Sequence, residues 1–431
     1  MALGIDEFIV NQTTSGSQEG PRITALANGG YAVAWEDYGQ TGDDTSDTAV
    51  RARVFNADGS PSGNDFLVNT TTSGGQTGAS ITALLNDRFV VAWKGPDGSF
   101  AQVFDLDGSK HGRPELPLGT HTYPVIAGLS DGRFVAVMQY SGEVPGQVFN
   151  DDGSQSTPEF RVPAPMGGAR AVAALPGGRF VAATNGVVVQ VFNADGTTTG
   201  YDEIHTESGV GGPQIAALTN GNFVVTWQNP NGFGDDLSNS AQIAQIFDGH
   251  GVKIGREFLV NSTTTGSQES GSIAALPNGR FIITFESNIG RSGPEADVRA
   301  RVFNADGSPS GNDFLVNSVT PGKQYSAAVA VTTDGSVVVV WKDDNNVVGG
   351  HDIRGVQFRL DDPLDTTPPS APAITGFVDD TGTLGDGITS DNTLTLSGTA
   401  EAGTSVRLFD GLTDVGSATA TGGAWSITTA A

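Results

Sequence analysis

The strongest constraint on this chain is that it repeats itself. Residues 50–69 read VRARVFNADGSPSGNDFLVN, and residues 298–317 read the same twenty letters. The offset is 248 residues, about five times a period of roughly 50, which is the size of a propeller blade. Weaker copies fill the interval. An aromatic residue before turn residues recurs at Phe55, Phe104, Phe149, Phe192, Phe247, Phe303 and Phe358. A turn followed by a β-rich run recurs as ANGGYAVAW (27–35), LNDRFVVAW (85–93), SDGRFVAVM (130–138), PGGRFVAAT (176–184), TNGNFVVTW (219–227), PNGRFIITF (277–285) and TDGSVVVVW (333–341). Both landmarks occur seven times.

A third landmark is a short strand: FIVN (8–11), FLVN (66–69), ELPL (115–118), FRVP (160–163), IHT (204–206), FLVN (258–261) and FLVN (314–317). Each unit therefore carries four strand candidates, β-branched or aromatic and bounded by Gly, Asn, Asp or Pro. No window shows sustained helical periodicity. Four short strands repeated seven times predict an all-β chain folded as a seven-bladed β-propeller over residues 1–362. The chain starts with the Phe8 strand, and the seventh unit ends without one. The N-terminal strand is therefore expected to close the last blade as its outer strand, leaving no open sheet edge.

A Pro-rich linker, 363–372, follows. Residues 373–431 hold further strand candidates at Ala373–Gly376, Thr393–Gly398, Ser405–Phe409 and Ala424–Thr429. ITGFVDD, LTLSGTAEAGTSVRLFDG and GGAWSITTA resemble the bacterial immunoglobulin-like modules of large surface adhesins. A whole immunoglobulin sandwich needs about 100 residues. A partial, truncated immunoglobulin-like β-sandwich is expected here.

Composition narrows the function classes. The chain of 431 residues has 60 Gly and no Cys, which excludes disulfide scaffolds, Cys-ligated metals and thiol nucleophiles. Lys+Arg number 22 against 48 Asp+Glu, a formal charge of −26. Such a charge repels nucleic acid, favours divalent cations and favours a monomeric propeller. The longest apolar runs, such as Val337 to Trp341, are of strand length, so no transmembrane segment is expected. The first 25 residues show no basic start followed by an apolar core, so no Sec-type leader is expected.

The unit FLVN-x-TT-x-G-x-Q…ALxNGxFVVxW…RVFNADGSxxG is similar to the repeat region of very large, acidic, Cys-free adhesins of Gram-negative bacteria, RTX-like proteins exported by type I secretion. That resemblance implies a secreted or cell-surface location and cell adhesion. Neither the nonapeptide calcium repeats of such proteins nor their C-terminal secretion signal is seen in these residues, so the route is implied by the resemblance alone.

In the predicted strand order, the outer-to-first and second-to-third loops share one face, and loops over a rigid scaffold carry function. Four of the outer-to-first loops place Asn and Gln seven apart: Asn11/Gln18, Asn69/Gln76, Asn261/Gln268 and Asn317/Gln324. With Tyr38 and His351 near the central opening, these are the candidate ligand-binding residues. Their other reading is that the side chains satisfy their own backbone. The long second-to-third loops are acidic. Asp37, Asp43, Asp44, Asp47, Asp235, Asp236, Asp297, Asp343, Asp344 and Asp352 are candidate calcium ligands, since calcium takes six to eight oxygens. Their other reading is a solvated face. Trp35, Trp93, Trp227 and Trp341 end equivalent strands and are expected in the core.

Catalysis has no linear signature: the five His do not recur in register and form no HExxH. The expected function is a binding module contacting an extracellular glycan or other surface ligand. The alternatives are a carbohydrate-active enzyme, a polysaccharide lyase or hydrolase, and a structural spacer.

Overall fold

In a computed structural model, the described residues are 6–40, 44–85, 87–120, 122–139, 144–164, 168–203, 210–237, 239–288, 296–320, 322–344, 350–360, 372–378, 388–390, 393–400, 405–410, 413–420 and 423–429. They belong to two compact units, Ala2–Leu364 and Asp365–Ala431. The expected linker falls almost wholly outside the described residues. Apart from two single 3-10 turns, Pro176–Gly178 and Pro277–Gly279, all described regular structure is β.

Among the described residues the larger unit holds seven four-stranded antiparallel sheets. In sheet 1 the order is Gln18–Ala25, Tyr31–Asp37, Ala49–Phe55 and Phe66–Leu67, so sequence order is spatial order. Sheets 2 to 6 follow the same plan, with first strands Thr77–Leu84, Thr122–Gly128, Ala169–Ala174, Gly211–Ala217 and Gln268–Ala275. Sheet 7 is assembled from both ends of the unit. Gln324–Val331, Ser336–Asp343 and Asp352–Arg359 are completed by Phe8–Ile9, with Phe8 opposite Gly355 and Ile9 opposite Arg354. In the fourth unit the outer strand is Thr198–Glu203. It ends just before the IHT segment, which lies outside the described residues, because the strand follows directly from its Asp195-Gly196 turn.

The turns explain the strand lengths. Ser60 N–H donates to Asp58 Oδ1 at 2.9 Å, and Asn56 N–H donates to Ser60 O at 2.8 Å. Gly59 sits at φ +81°, where a side chain is strained. Its Cβ would also lie 2.8 Å from the Gln357 side chain.

Each second strand is buried on both faces, which is why those runs read as unbroken apolar stretches rather than alternating ones. An aromatic pair ties second to third strand in six sheets. Tyr31/Phe55, Phe89/Phe104, Phe134/Phe149, Phe180/Phe192, Phe223/Phe247 and Phe281/Phe303 stack with ring centroids 4.9 to 5.3 Å apart. A Phe on the outer strand of one sheet then lies against the pair of the next. Phe66 meets Phe104 at 5.3 Å, Phe160 meets Phe192 at 4.9 Å and Phe258 meets Phe303 at 5.3 Å. Phe8 of sheet 7 meets Phe55 of sheet 1 at 5.6 Å, so the same contact joins the last sheet to the first. The apolar core accordingly consists of seven clusters, each shared by two neighbouring sheets. Trp35, Trp93, Trp227 and Trp341 are all buried in them.

The smaller unit has a three-stranded sheet, ordered Ala373–Val378, Thr395–Thr399 and Ala424–Thr428, and a separate hairpin, Ser405–Asp410 with Thr413–Thr419. Its core is small: Val406, Ala420, Trp425 and Ile427.

Removing residues 1–12 takes the outer strand from sheet 7 together with the Phe8 ring. We expect this deletion to lower the urea midpoint more than Phe8→Ala, which removes a half-buried ring and alone costs less than about 3 kcal/mol. Equal midpoints for the deletion and the intact chain in urea titrations followed by tryptophan fluorescence would refute this.

Candidate functional site

The Asn of each Asn/Gln loop ends an outer strand and continues its ladder with a side chain. The side-chain oxygens of Asn11, Asn69, Asn261 and Asn317 accept from Ile353, Val50, Gln242 and Val298 N–H at 2.8 to 3.2 Å. Their amide nitrogens donate to Asp352, Asp44, Asp236 and Asp297 at 2.7 to 2.9 Å. Each also donates to the carbonyl two residues on. All four Asn are at most 3 % exposed. The Gln residues are equally buried, at the start of the next first strand. Gln18 accepts from Trp35 Nε1 at 2.9 Å and donates to Asp37 Oδ1 at 2.9 Å. Gln324 donates to Asp343 Oδ1 at 3.1 Å. Gln76 and Gln268 donate to Ser73 O and Thr265 O at 3.3 and 3.0 Å.

The acidic candidates divide accordingly. Asp37, Asp44, Asp236, Asp343 and Asp352 are buried, and Asp297 is half-buried, each facing an amide or a guanidinium of its own seam. Asp47, Asp235 and Asp344 are exposed, and Asp43 lies outside the described residues. Among the described residues no three of His, Asp and Glu are grouped as metal ligands.

A different set converges at the rim of a central cavity of about 740 Å3, which is lined by the first strands of all seven sheets. Every first strand carries a register shift near its start. The extra residue re-aims the chain, as β-bulges do beside sites. Just before these shifts, first and second strands pair Glu19 with Glu36 in sheet 1, Glu269 with Glu286 in sheet 6 and Tyr325 with Lys342 in sheet 7. Two carboxylate pairs thus flank an aromatic–cation pair.

These side chains touch. Lys342 Nζ lies 2.7 Å from Glu19 Oε1 and 4.5 Å from the centre of the Tyr325 ring, whose other approach is Lys323 at 4.4 Å. His351 bridges Glu19 Oε1 through Nδ1 at 3.3 Å and Asp344 Oδ1 through Nε2 at 3.1 Å. It meets Tyr325 edge-on, with centroids 6.3 Å apart. Tyr38, 43 % exposed, donates to Glu36 Oε2 at 3.3 Å. Glu36 Oε1 accepts from Gly78 N–H of sheet 2, and Glu286 Oε1 from Ser326 N–H of sheet 7, both at 2.8 Å. Those donors stand at φ +68° and +55°, where the bulge frees them from the ladder.

Burial holds the Glu36 carboxyl above the usual glutamate range, against the Gly78 and Tyr38 hydrogen bonds. Burial does the same for Glu286, against the Ser326 hydrogen bond and Lys323. The Tyr38 hydroxyl is pushed up to about 12 by burial and by Glu36. It is therefore a hydrogen-bond donor at neutral pH and not a phenolate. The arrangement offers carboxylates that accept hydroxyl donors, protonatable acids and an aromatic ring at one cavity mouth.

Of the expected binding residues, only Tyr38 and His351 reach this rim. Glu19, Glu36, Glu269, Glu286, Tyr325 and Lys342 were not singled out from the sequence. Their signal was a second register: Gln-Glu at 18–19 and 268–269, and aromatic-Glu at 35–36 and 285–286.

No protein-family model matches the chain, and no curated protein matches it. Among solved structures, a fungal alcohol oxidase in complex with copper aligns with a TM-score of 0.57 at 11% identity, over 98% of this chain and 92% of its own. A protein of unknown function from Dyadobacter fermentans DSM 18053 aligns at 0.51 and 12% identity, over 82% of this chain and 97% of its own. NanB sialidase from Streptococcus pneumoniae aligns at 0.48 and 10% identity, over 82% of this chain and 70% of its own. Likeness at such identities concerns the fold alone. No described helix is long and apolar enough to cross a membrane.

Two outcomes follow from the seams and the rim. Asn69→Ala removes the partner of the buried Asp44 Oδ2 and of the Val50 N–H, and we expect it to cost about 1–3 kcal/mol in urea unfolding. Asn69→Asp, which sets a carboxylate against Asp44, is expected to cost more. Glu36 and Glu286 have raised folded-state pKa values, so at these two sites the folded state holds its proton to higher pH than the unfolded one. Their contribution is fully present below the ordinary glutamate value and is lost as pH rises through the raised one. Across that window, Glu36→Gln is expected to gain stability relative to the parent as pH rises. Parallel slopes in urea titrations would show that Glu36 is not responsible.

Proposed function

We propose that the larger unit is a closed seven-bladed β-propeller acting as an extracellular carbohydrate-binding module, with its ligand taken at the rim of sheets 6, 7 and 1. The supporting observation is the convergence there of Tyr325, Lys342, His351 and the two glutamate pairs beside a cavity. Sugar hydroxyls are donors and acceptors on an apolar ring. They suit carboxylates and a lysine placed around an aromatic face, the usual mix of a few convergent polar groups in a small-molecule site. The resemblance to large secreted adhesins supplies the context, cell adhesion from a secreted or surface-bound chain, and the smaller unit is read as its immunoglobulin-like module. A glycan array followed by calorimetry tests the proposal. Tyr325→Ala is expected to weaken the best binder at least tenfold without changing the melting midpoint. An array with no binder, or a variant of unchanged affinity, would refute it.

A hydrolytic reading has its own observation. Glu36 and Glu286 are carboxyls kept protonatable by burial, each opposite a second glutamate, which is the division of labour between a general acid and a charged partner. Product release from oligosaccharides, abolished in Glu36→Gln, would support it over binding alone.

Calcium enters as a stabilising ion for the acidic loops. Melting curves in calcium, in sodium of matched ionic strength and in chelator test it. A midpoint raised by calcium alone is expected, and coincident curves would refute a specific site.

A further inference from the structure

Two rim glutamates occupy the same position in their repeats, and only one of them has a cation. Glu19 and Glu269 each follow a Gln whose N–H donates to the preceding sheet, Gln18 to His351 O at 2.8 Å and Gln268 to Ser240 O at 2.9 Å. Each pairs across its own ladder with a second glutamate, Glu36 or Glu286. Beside Glu19, sheet 7 supplies two basic groups, Lys342 Nζ at 2.7 Å and His351 Nδ1 at 3.3 Å. In sheet 5 the same two positions are neutral. Gln228 follows Trp227 as Lys342 follows Trp341, and Ser240 stands where sheet 7 has His351. Ser240 Oγ donates to Glu269 Oε1 at 3.0 Å, and among the described residues no Lys, Arg or His pairs with that carboxylate.

The wall of sheet 5 differs in the same direction. In sheet 7, Lys342 lies opposite Ile353, and both are buried. The corresponding pair in sheet 5 is Gln228 opposite Gln242. Gln242 is fully buried, and its Nε2 donates to Thr226 Oγ1 at 2.7 Å. Its Oε1 has no hydrogen-bond partner among the described residues, which is costly for a buried carbonyl. The same amide lies against Gly271, two residues after Glu269, where a Cβ would collide with it. Sheet 5 thus turns an acceptor without a donor toward the strand that carries Glu269. Gln228 and Glu269 are half-buried, whereas Lys342 is 4 % exposed. The place that a lysine fills in one seam is reachable from solvent in the other.

We propose that Glu269 is an ammonium-binding position, and that the rim selects sugars bearing a free amine. The proposal rests on the carbohydrate-binding reading of the rim and names the class of sugar. The ammonium of the ligand takes the place that Lys342 Nζ holds beside Glu19, with a charge-assisted bond to the Glu269 carboxylate. Gln242 Oε1 is the buried acceptor on the sheet 5 side. Glu286, opposite Glu269 on the ladder, adds a second acidic group. Lys323 acts on Glu286 from the Tyr325 ring, 4.4 Å from its centre, and does not pair with Glu269. An N-acetylated sugar has no charge to offer this position. The chain's net charge of −26 steers a cation toward it and makes the binding sensitive to salt.

The experiment is calorimetry on the full chain with three tetrasaccharides: β-1,4-linked glucosamine, its N-acetylated form and the glucose equivalent. A pH of about 6 keeps the amines charged and an ordinary glutamate ionised. The expected result is saturable binding of the glucosamine tetramer, weakened by salt, with the other two at least tenfold weaker. Glu269→Gln is expected to weaken the glucosamine tetramer at least tenfold. Gln228→Lys, which keeps Glu269 and supplies the cation from the chain itself as in sheet 7, is expected to do the same. Melting curves check that both variants are folded. A non-specific attraction to the acidic surface would survive both substitutions, and that result would overturn the proposal. Equal binding of all three sugars, each lost in Tyr325→Ala, would overturn it while leaving the carbohydrate-binding reading in place. Absence of binding by all three would also overturn it, and the glycan array then judges the wider reading separately.

Discussion

Everything in the larger unit depends on burying both faces of sheets that are too small to be stable alone. Four strands of two to ten residues have no interior of their own. Each sheet therefore contributes half of two apolar clusters, and no cluster belongs to one sheet. The recurrent Phe stack fixes where neighbours meet: the outer-strand ring of one sheet lies on the paired rings of the next. Such architectures are stable as a sum of neighbour contacts. A gap between first and last sheets would expose the same apolar area as a gap anywhere else, which is why the contact of Phe8 with Phe55 matters as much as any internal one.

Polar groups then specify what the apolar stacks leave loose. Aromatic and aliphatic contacts tolerate small shifts, whereas a buried amide does not. Asn11, Asn69, Asn261 and Asn317 each join the ladder of one sheet to the beginning of its third strand or the loop before it, through a carboxylate that is buried except at Asp297. An acidic side chain near the following outer strand caps the amides beyond. Asp65 accepts from Gln12 N–H, Glu115 from Thr70 and Thr71, Asp313 from Ser262 and Thr263, and Glu7 from Ser318 and Val319. Much of the negative charge of the chain thus serves the seams, since an unmatched buried N–H or carboxylate is costly.

The rim exists because the ladders are interrupted. A register shift at the start of every first strand frees backbone donors and turns side chains toward the cavity. Glu36 and Glu286 take two of those donors from neighbouring sheets. Scaffold and site are therefore made by one device, used regularly for structure and loaded unequally for chemistry: glutamate pairs in sheets 1 and 6, an aromatic–lysine pair in sheet 7.

The sequence by itself determined the all-β class, the seven four-stranded units and the pairing of Phe8 with the last of them. Those features rest on local periodicities and turn chemistry that recur, with variations, in every repeat. The buried Trp residues were legible for the same reason. The Asn/Gln loops were recognised as special, but whether their amides faced a ligand or the backbone depended on partners such as Asp44 and Asp352. Asp352 lies 341 positions from Asn11. Only the tertiary structure decided that these amides belong to the seams and that the glutamates beside them form the rim. A side chain at a strand end is aimed by its bulge and by the neighbouring sheet, and neither is encoded within a single repeat.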